Sequence, residues 1–251
     1  MSYNIEIAIR IGIAILFAVV LGNGSVVAFN RMPAKWFEDY DDKTPLDEDA
    51  PKVLPPKLIE ADNAGRQRIP STPWKYAFVS YFAICGIYLA IRGGSISYEI
   101  ATLCTLFIVL EMAISDQLYQ VVPDQFSWAL IAMAIGFTDY YDKWWEQPAG
   151  AFIGLGISLV ILVLGHLLFK TGSIGGADIK FFTCMGLITG RTGVVIIFIL
   201  TTLFFALYSG IRIASGHGSI KDKNAMLPAG LVAVTIYMLF LWNISELFFK
   251  L

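Results

Sequence analysis

The chain has 251 residues, 57% hydrophobic and only 15% charged, with a mean hydropathy of +0.66 and a formal net charge of −2. A soluble domain is nearer a quarter charged, so this composition excludes an ordinary globular enzyme and points to a polytopic membrane protein. There is no basic block to suit nucleic acid, and Cys85, Cys104 and Cys184 lie in apolar runs with no CxxC pair, which offers neither a zinc site nor a disulfide framework.

The first apolar run covers residues 7–29. Its leading residues include Glu6 and only Arg10, and no small-residue cleavage site follows, so it is read as a retained span and not a signal peptide. Residues 30–74 are the one sizeable hydrophilic stretch, rich in proline and expected to be partly irregular. Its acids Glu38, Asp39, Asp41, Asp42, Asp47, Glu48 and Asp49 are either a solvated loop surface or a field that attracts a basic partner.

Further apolar runs follow at 75–92, 99–115, 123–140, 149–169, 178–190, 192–213 and 228–248. About twenty apolar residues in a helix cross a hydrocarbon core roughly 30 Å thick, so these are read as spans, the sixth being short. Only Gly190-Arg191-Thr192-Gly193 separates the sixth from the seventh. The expectation is an all-α membrane protein of eight spans, or seven if those two merge: a first helix (1–29), a cytoplasmic loop (30–74) and a transmembrane core (75–251).

Lysine and arginine set the orientation. Loop 30–75 contains Arg31, Lys35, Lys43, Lys52, Lys57, Arg66, Arg68 and Lys75, and Lys170, Lys180, Arg212, Lys221 and Lys223 follow on the same side. The opposite loops offer Arg92, Lys143 and Arg191. Both termini are therefore expected outside, and Asp116 and Asp178 on the cytoplasmic side.

These two aspartates sit where apolar runs meet polar loops, and acids in such places are costly enough to mark a site. Asp116 closes the third span in Asp116-Gln-Leu-Tyr-Gln-Val-Val-Pro123-Asp124. The end of its own helix disfavours negative charge, which suits a group that holds a proton. Pro123 fits the first turn of the next helix, and Asp124 reads either as a first-turn acid or as an accessory to the site. Asp178 follows Gly175-Gly176-Ala177, small residues that permit a tight turn and close backbone approach. Taken alone this is equally a glycine-rich loop with a capping aspartate. Lys180 either lies near the Asp178 charge or extends toward headgroups. Two carboxyl groups sharing a proton can activate water against a peptide bond.

Together, Asp116-x6-Pro123-Asp124 and Gly175-Gly176-Ala177-Asp178-Ile179-Lys180 resemble the type IV prepilin peptidases, intramembrane aspartic proteases of the GxGD class. Gly24-Ser25 with Arg31-Met32-Pro33, and Leu227-Pro228-Ala229-Gly230, are similar to the segments at that family's first and last helices. The resemblance implies that Asp116 and Asp178 are catalytic, and that Gly24, Ser25, Arg31, Pro33, Pro228 and Gly230 contact substrate. It implies a bacterial inner-membrane enzyme that removes a basic leader from prepilins or pseudopilins, cutting after a glycine at the cytoplasmic face. No metal or organic cofactor is implied for proteolysis. Two departures stand out. Ala177 replaces the second glycine of GxGD, and loop 30–74 lacks the CxxC pairs of the long members, which also methylate the new N-terminus with S-adenosylmethionine. That second activity is not expected here.

Other residues have plainer readings. Glu111 lies five positions before Asp116, about 140° away around a helix, and is read as pairing with another helix. His166 is read as a hydrogen-bonded structural histidine and His217 as a loop residue facing solvent, while Tyr140, Tyr141, Trp144 and Trp145 suggest an interfacial aromatic belt. No GxSxG, HExxH or Walker motif occurs. A presenilin-like protease of broader specificity, an ion-coupled transporter and a non-catalytic assembly partner are the competing readings.

Overall fold

A chain that crosses lipid must satisfy its backbone polar groups internally, which favours helices wherever the apolar runs are long. The computed structural model is an all-α bundle and describes residues 3–40, 52–169, 175–216 and 224–242. It comprises α1 (Tyr3–Arg31), a 3-10 turn (Ala34–Phe37), a two-stranded antiparallel ribbon of β1 (Asp39–Tyr40) and β2 (Lys52–Val53), α2 (Pro56–Asn63), α3 (Ser71–Arg92) and α4 (Ile96–Tyr119). Next come α5 (Asp124–Ala134), continued as a 3-10 turn to Tyr140, then α6 (Glu146–Phe169), α7 (Gly176–Ala214) and α8 (Leu227–Ile236), which a π turn extends to Leu241.

Among the described residues, α1, α3, α4, α6 and α7 are long and apolar enough to cross a membrane, and 227–241 is a shorter apolar helix. Large side chains such as Leu16, Ile84, Trp128, Phe152 and Ile199 point outward, as lipid-facing residues do, while Phe82, Leu106, Met112 and Phe182 fill the interior.

The expected sixth and seventh spans lie within the single element α7, but α7 is not one rod. Gly190 breaks it with φ 68° and ψ −172°, a backbone region open to glycine alone. In a straight helix Phe182 and Phe198 would be about 24 Å apart. Their ring centroids are 5.1 Å apart, so residues 176–189 and 191–214 fold back on each other. The glycine-rich break marks a reversal. α6 packs along this hairpin with almost no space: a Cβ added at Gly150 would lie 2.2 Å from the Gly186 carbonyl oxygen. Small residues thus permit backbone contact where larger ones would hold the helices apart.

The two ends of the bundle differ. At one, Arg10 pairs with Glu99, Arg92 donates to the Leu239 carbonyl, Tyr98 donates to Met238 and Tyr141 to Ile188. Tyr140 and Tyr141 pack with Tyr98 and Trp242 in an aromatic cluster, Trp145 lies under Arg191, and only Trp144 is widely exposed, at 82%. The expected aromatic belt is therefore partly an internal lock.

At the other end, the segment after α1 is tied back onto the helices. Asn30 exchanges two hydrogen bonds of 2.9 Å with the backbone of Ile69. The buried Arg68 guanidinium donates to Met32 and Asp62 and lies over Phe37. Phe29, Phe37 and Tyr119 form an aromatic triangle with centroids 5.4–6.1 Å apart. A stretch too small to fold alone thus gains its order from the end of α4. Of the acids expected to steer a partner, Glu38 and Asp39 are exposed, and the other five lie outside the described residues, as does His217; the side chain of His166 is likewise not described.

Candidate active site

The third span was expected to end at 115, but α4 continues to Tyr119 and stops at Gln120, whose left-handed backbone (φ 56°) caps it. Asp116 therefore occupies the last helical turn, 9% exposed. Ser115, fully buried beside it, donates to the Val121 carbonyl and fixes the turn that leads to Pro123. Pro123 is buried and directly precedes α5, where a proline suits the helix start.

Asp116 Oδ2 accepts the backbone N–H of Leu227 at 2.9 Å. Leu227 opens α8, so Asp116 supplies an acceptor to a helix start far away in sequence. The first N–H groups of a helix have no internal partner and favour negative charge, whereas the end of α4 opposes it. Pro228 sits in the first turn of α8, where its missing N–H is no loss.

Asp178 is held differently. It lies in the first turn of α7, half-buried, and its Oδ2 accepts the Gly175 N–H at 3.2 Å, while the Gly175 carbonyl accepts the Asp178 N–H at 3.1 Å. This is the side-chain half of a capping box, built within four residues. A Cβ at Gly175 would stand 3.3 Å from that carboxylate oxygen, so the position has little room for a side chain, whereas Gly176 faces open space. Ala177 is already inside the helix, with no left-handed backbone to require glycine. The departure from GxGD is thus sterically idle.

The two aspartates come to the same end of the bundle, within electrostatic range of each other. The start of α8 connects their helices: Leu227 bonds to Asp116, and Gly230, one turn on, lies against the Phe181 ring, one turn beyond Asp178. Gly230 is therefore a packing position. Lys180 pairs with Asp124 in an exposed ion pair that joins α7 to α5, neither beside Asp178 nor reaching outward alone. Of the remaining expected site residues, Ser25 is fully buried with its hydroxyl on the Leu21 carbonyl, Gly24 faces Phe107, and Arg31 and Pro33 are exposed at the aspartate end. The Leu227 N–H was not legible in the sequence. Pro228 marks a helix start, but nothing local says that it meets Asp116.

Among the described residues no cluster of His, Cys, Asp and Glu could hold a metal ion. The arrangement consists of two carboxyl groups at the mouth of an apolar bundle, each held by a backbone N–H.

Residues 100–211 match the model of the type IV leader peptidase family. This stretch is similar to the leader peptidases. The matched region runs from α4 into α7, and includes Asp116, Asp178 and the motif residues around both. The match leaves out α1, the loop after it and α8, so the partner of Asp116 on α8 lies beyond it. No curated protein and no solved structure matches the chain.

Proposed function

We propose that this protein is a membrane-embedded aspartic endopeptidase that cleaves the leader from type IV prepilins or pseudopilins after a glycine, at the cytoplasmic face of the bacterial inner membrane. The observation that carries the reading is the leader-peptidase match over 100–211, which spans both aspartates of a pair sharing one end of the bundle. The lysines and arginines of the loops favour the cytoplasmic side for that end.

In this mechanism a water molecule sits between Asp116 and Asp178, which share a proton. One carboxylate takes a proton from the water as it attacks the scissile carbonyl. The protonated partner donates a hydrogen bond to the carbonyl oxygen and then helps protonate the leaving amine. The pair titrates as a unit, because two carboxyls that share a proton do not ionise independently. The backbone N–H groups of Leu227 and Gly175 hold the two carboxyls in place before substrate arrives. Exposed Arg31 and Pro33, with half-buried Pro228, are the substrate contacts of the reading. S-adenosylmethionine would enter only with methyl transfer, which the cysteine-free loop does not favour.

The test is purified protein in liposomes with a prepilin-type peptide bearing a basic leader and a hydrophobic helix. Mass spectrometry should find a single cut after the leader glycine. An intact peptide, or cuts scattered through the hydrophobic helix, would contradict this specificity.

A further inference from the structure

Asp116 is not the only acid that α4 buries. Glu111 is 1% exposed, and neither of its carboxyl oxygens has a well-formed hydrogen bond among the described residues. Beside it stands the Ser25 hydroxyl of α1, itself fully buried. The Ser25 hydrogen is already committed to the Leu21 carbonyl at 2.9 Å. Ser25 therefore has lone pairs to offer and no proton to give, and a carboxylate also has only lone pairs. The two oxygens form a hydrogen bond only when the carboxyl carries the proton.

The pair lies between two other contacts of the same helices. Gly24 faces Phe107 on one side, and on the other Phe29 stacks on Tyr119 at 6.1 Å. α1 makes its main contact with α3, and at the far end it meets α4 through the Arg10–Glu99 ion pair. Glu111 points about 140° away from Asp116 around α4, so it does not touch the reacting atoms.

We propose that Glu111 is a positioning residue, a neutral acid that donates to Ser25 Oγ and latches α1 to α4 little more than one helical turn before Asp116. Its effect on cleavage rests on the peptidase reading, but the latch itself does not.

The latch is tested by infrared spectroscopy on the Asp116→Asn/Asp178→Asn protein, which removes the site carboxyls from the signal. A carbonyl-stretch band of a neutral carboxylic acid is expected, lost on adding Glu111→Gln and shifted toward the free-acid position on adding Ser25→Ala. No such band, or a band that Ser25→Ala leaves in place, overturns the latch. In the otherwise wild-type protein, Glu111→Gln keeps a donor for Ser25 and should cleave within about threefold of wild type, with Glu111→Leu slower by about tenfold, mainly in kcat. Loss of all cleavage in folded Glu111→Gln would make the carboxyl itself part of the chemistry and overturn a positioning role, as would wild-type rates in Glu111→Leu. If the wild type cuts no leader, the peptidase reading fails and the infrared result alone decides the latch.

Discussion

The two aspartates occupy one end of one bundle, yet they are held by opposite means. Asp116 is buried, and its partner is the Leu227 N–H, 111 residues away on another helix. Asp178 is half-buried, and its partner is the Gly175 N–H three residues back in its own turn. The first depends on the whole bundle being assembled, whereas the second is complete as soon as α7 begins. A site built this way has one carboxyl fixed by tertiary packing and one that a local turn can carry.

The largest expected difference between them is in activity after lengthening by one methylene. Asp116→Glu would push the carboxyl past Leu227 inside packed surroundings, where misplacement by about 1 Å costs on the order of a hundredfold in rate. Asp178→Glu has more freedom at a helix start and should lose about tenfold less. Kinetics of leader cleavage check this, and equal losses would mean that the two environments are equally rigid.

Stability should separate them next. Asp116→Ala leaves the Leu227 N–H buried without a partner, a cost of about 1–3 kcal/mol. Asp178→Ala frees an N–H on exposed Gly175, which water can satisfy, so the cost should be about 0.5–1 kcal/mol. Thermal unfolding in detergent reads both; Asp116→Asn keeps an acceptor and should unfold close to wild type.

Smaller effects come from the turn before Asp178. Gly175→Ala places a methyl 3.3 Å from the Asp178 oxygen and should slow cleavage severalfold, while Gly176→Ala meets open space and should be nearly silent. The smallest effect is expected at the Lys180–Asp124 pair, both side chains of which are more than half exposed. Such pairs contribute about 0–1 kcal/mol, so Lys180→Met should change unfolding by no more than that and lose sensitivity to salt.

The same division explains what the sequence made legible. Everything encoded within a few residues could be read: the apolar runs, the glycine break at Gly190, the proline before α5 and the short turn that caps Asp178. The helix ends were less certain, because Gln120 stops α4 by a left-handed cap that no glycine advertises. Long-range partners were not legible at all. Local sequence offers Lys180 its neighbour Asp178 or the headgroups, but the fold brings it to Asp124, and only assembly delivers α8 to Asp116. Loop 30–74, rich in proline, reads as partly irregular, and its described parts are ordered by docking Phe37 and Leu58 against the helices.

The most direct test of the central claim is cleavage of a prepilin-type substrate in liposomes by wild type, Asp116→Asn and Asp178→Asn, with folding of each confirmed by unfolding temperature. Wild type should cut once after the leader glycine, and each variant should lose at least about a thousandfold in rate while staying folded. Near-normal cleavage by either folded variant would show that its aspartate is not part of a catalytic pair and would contradict the account.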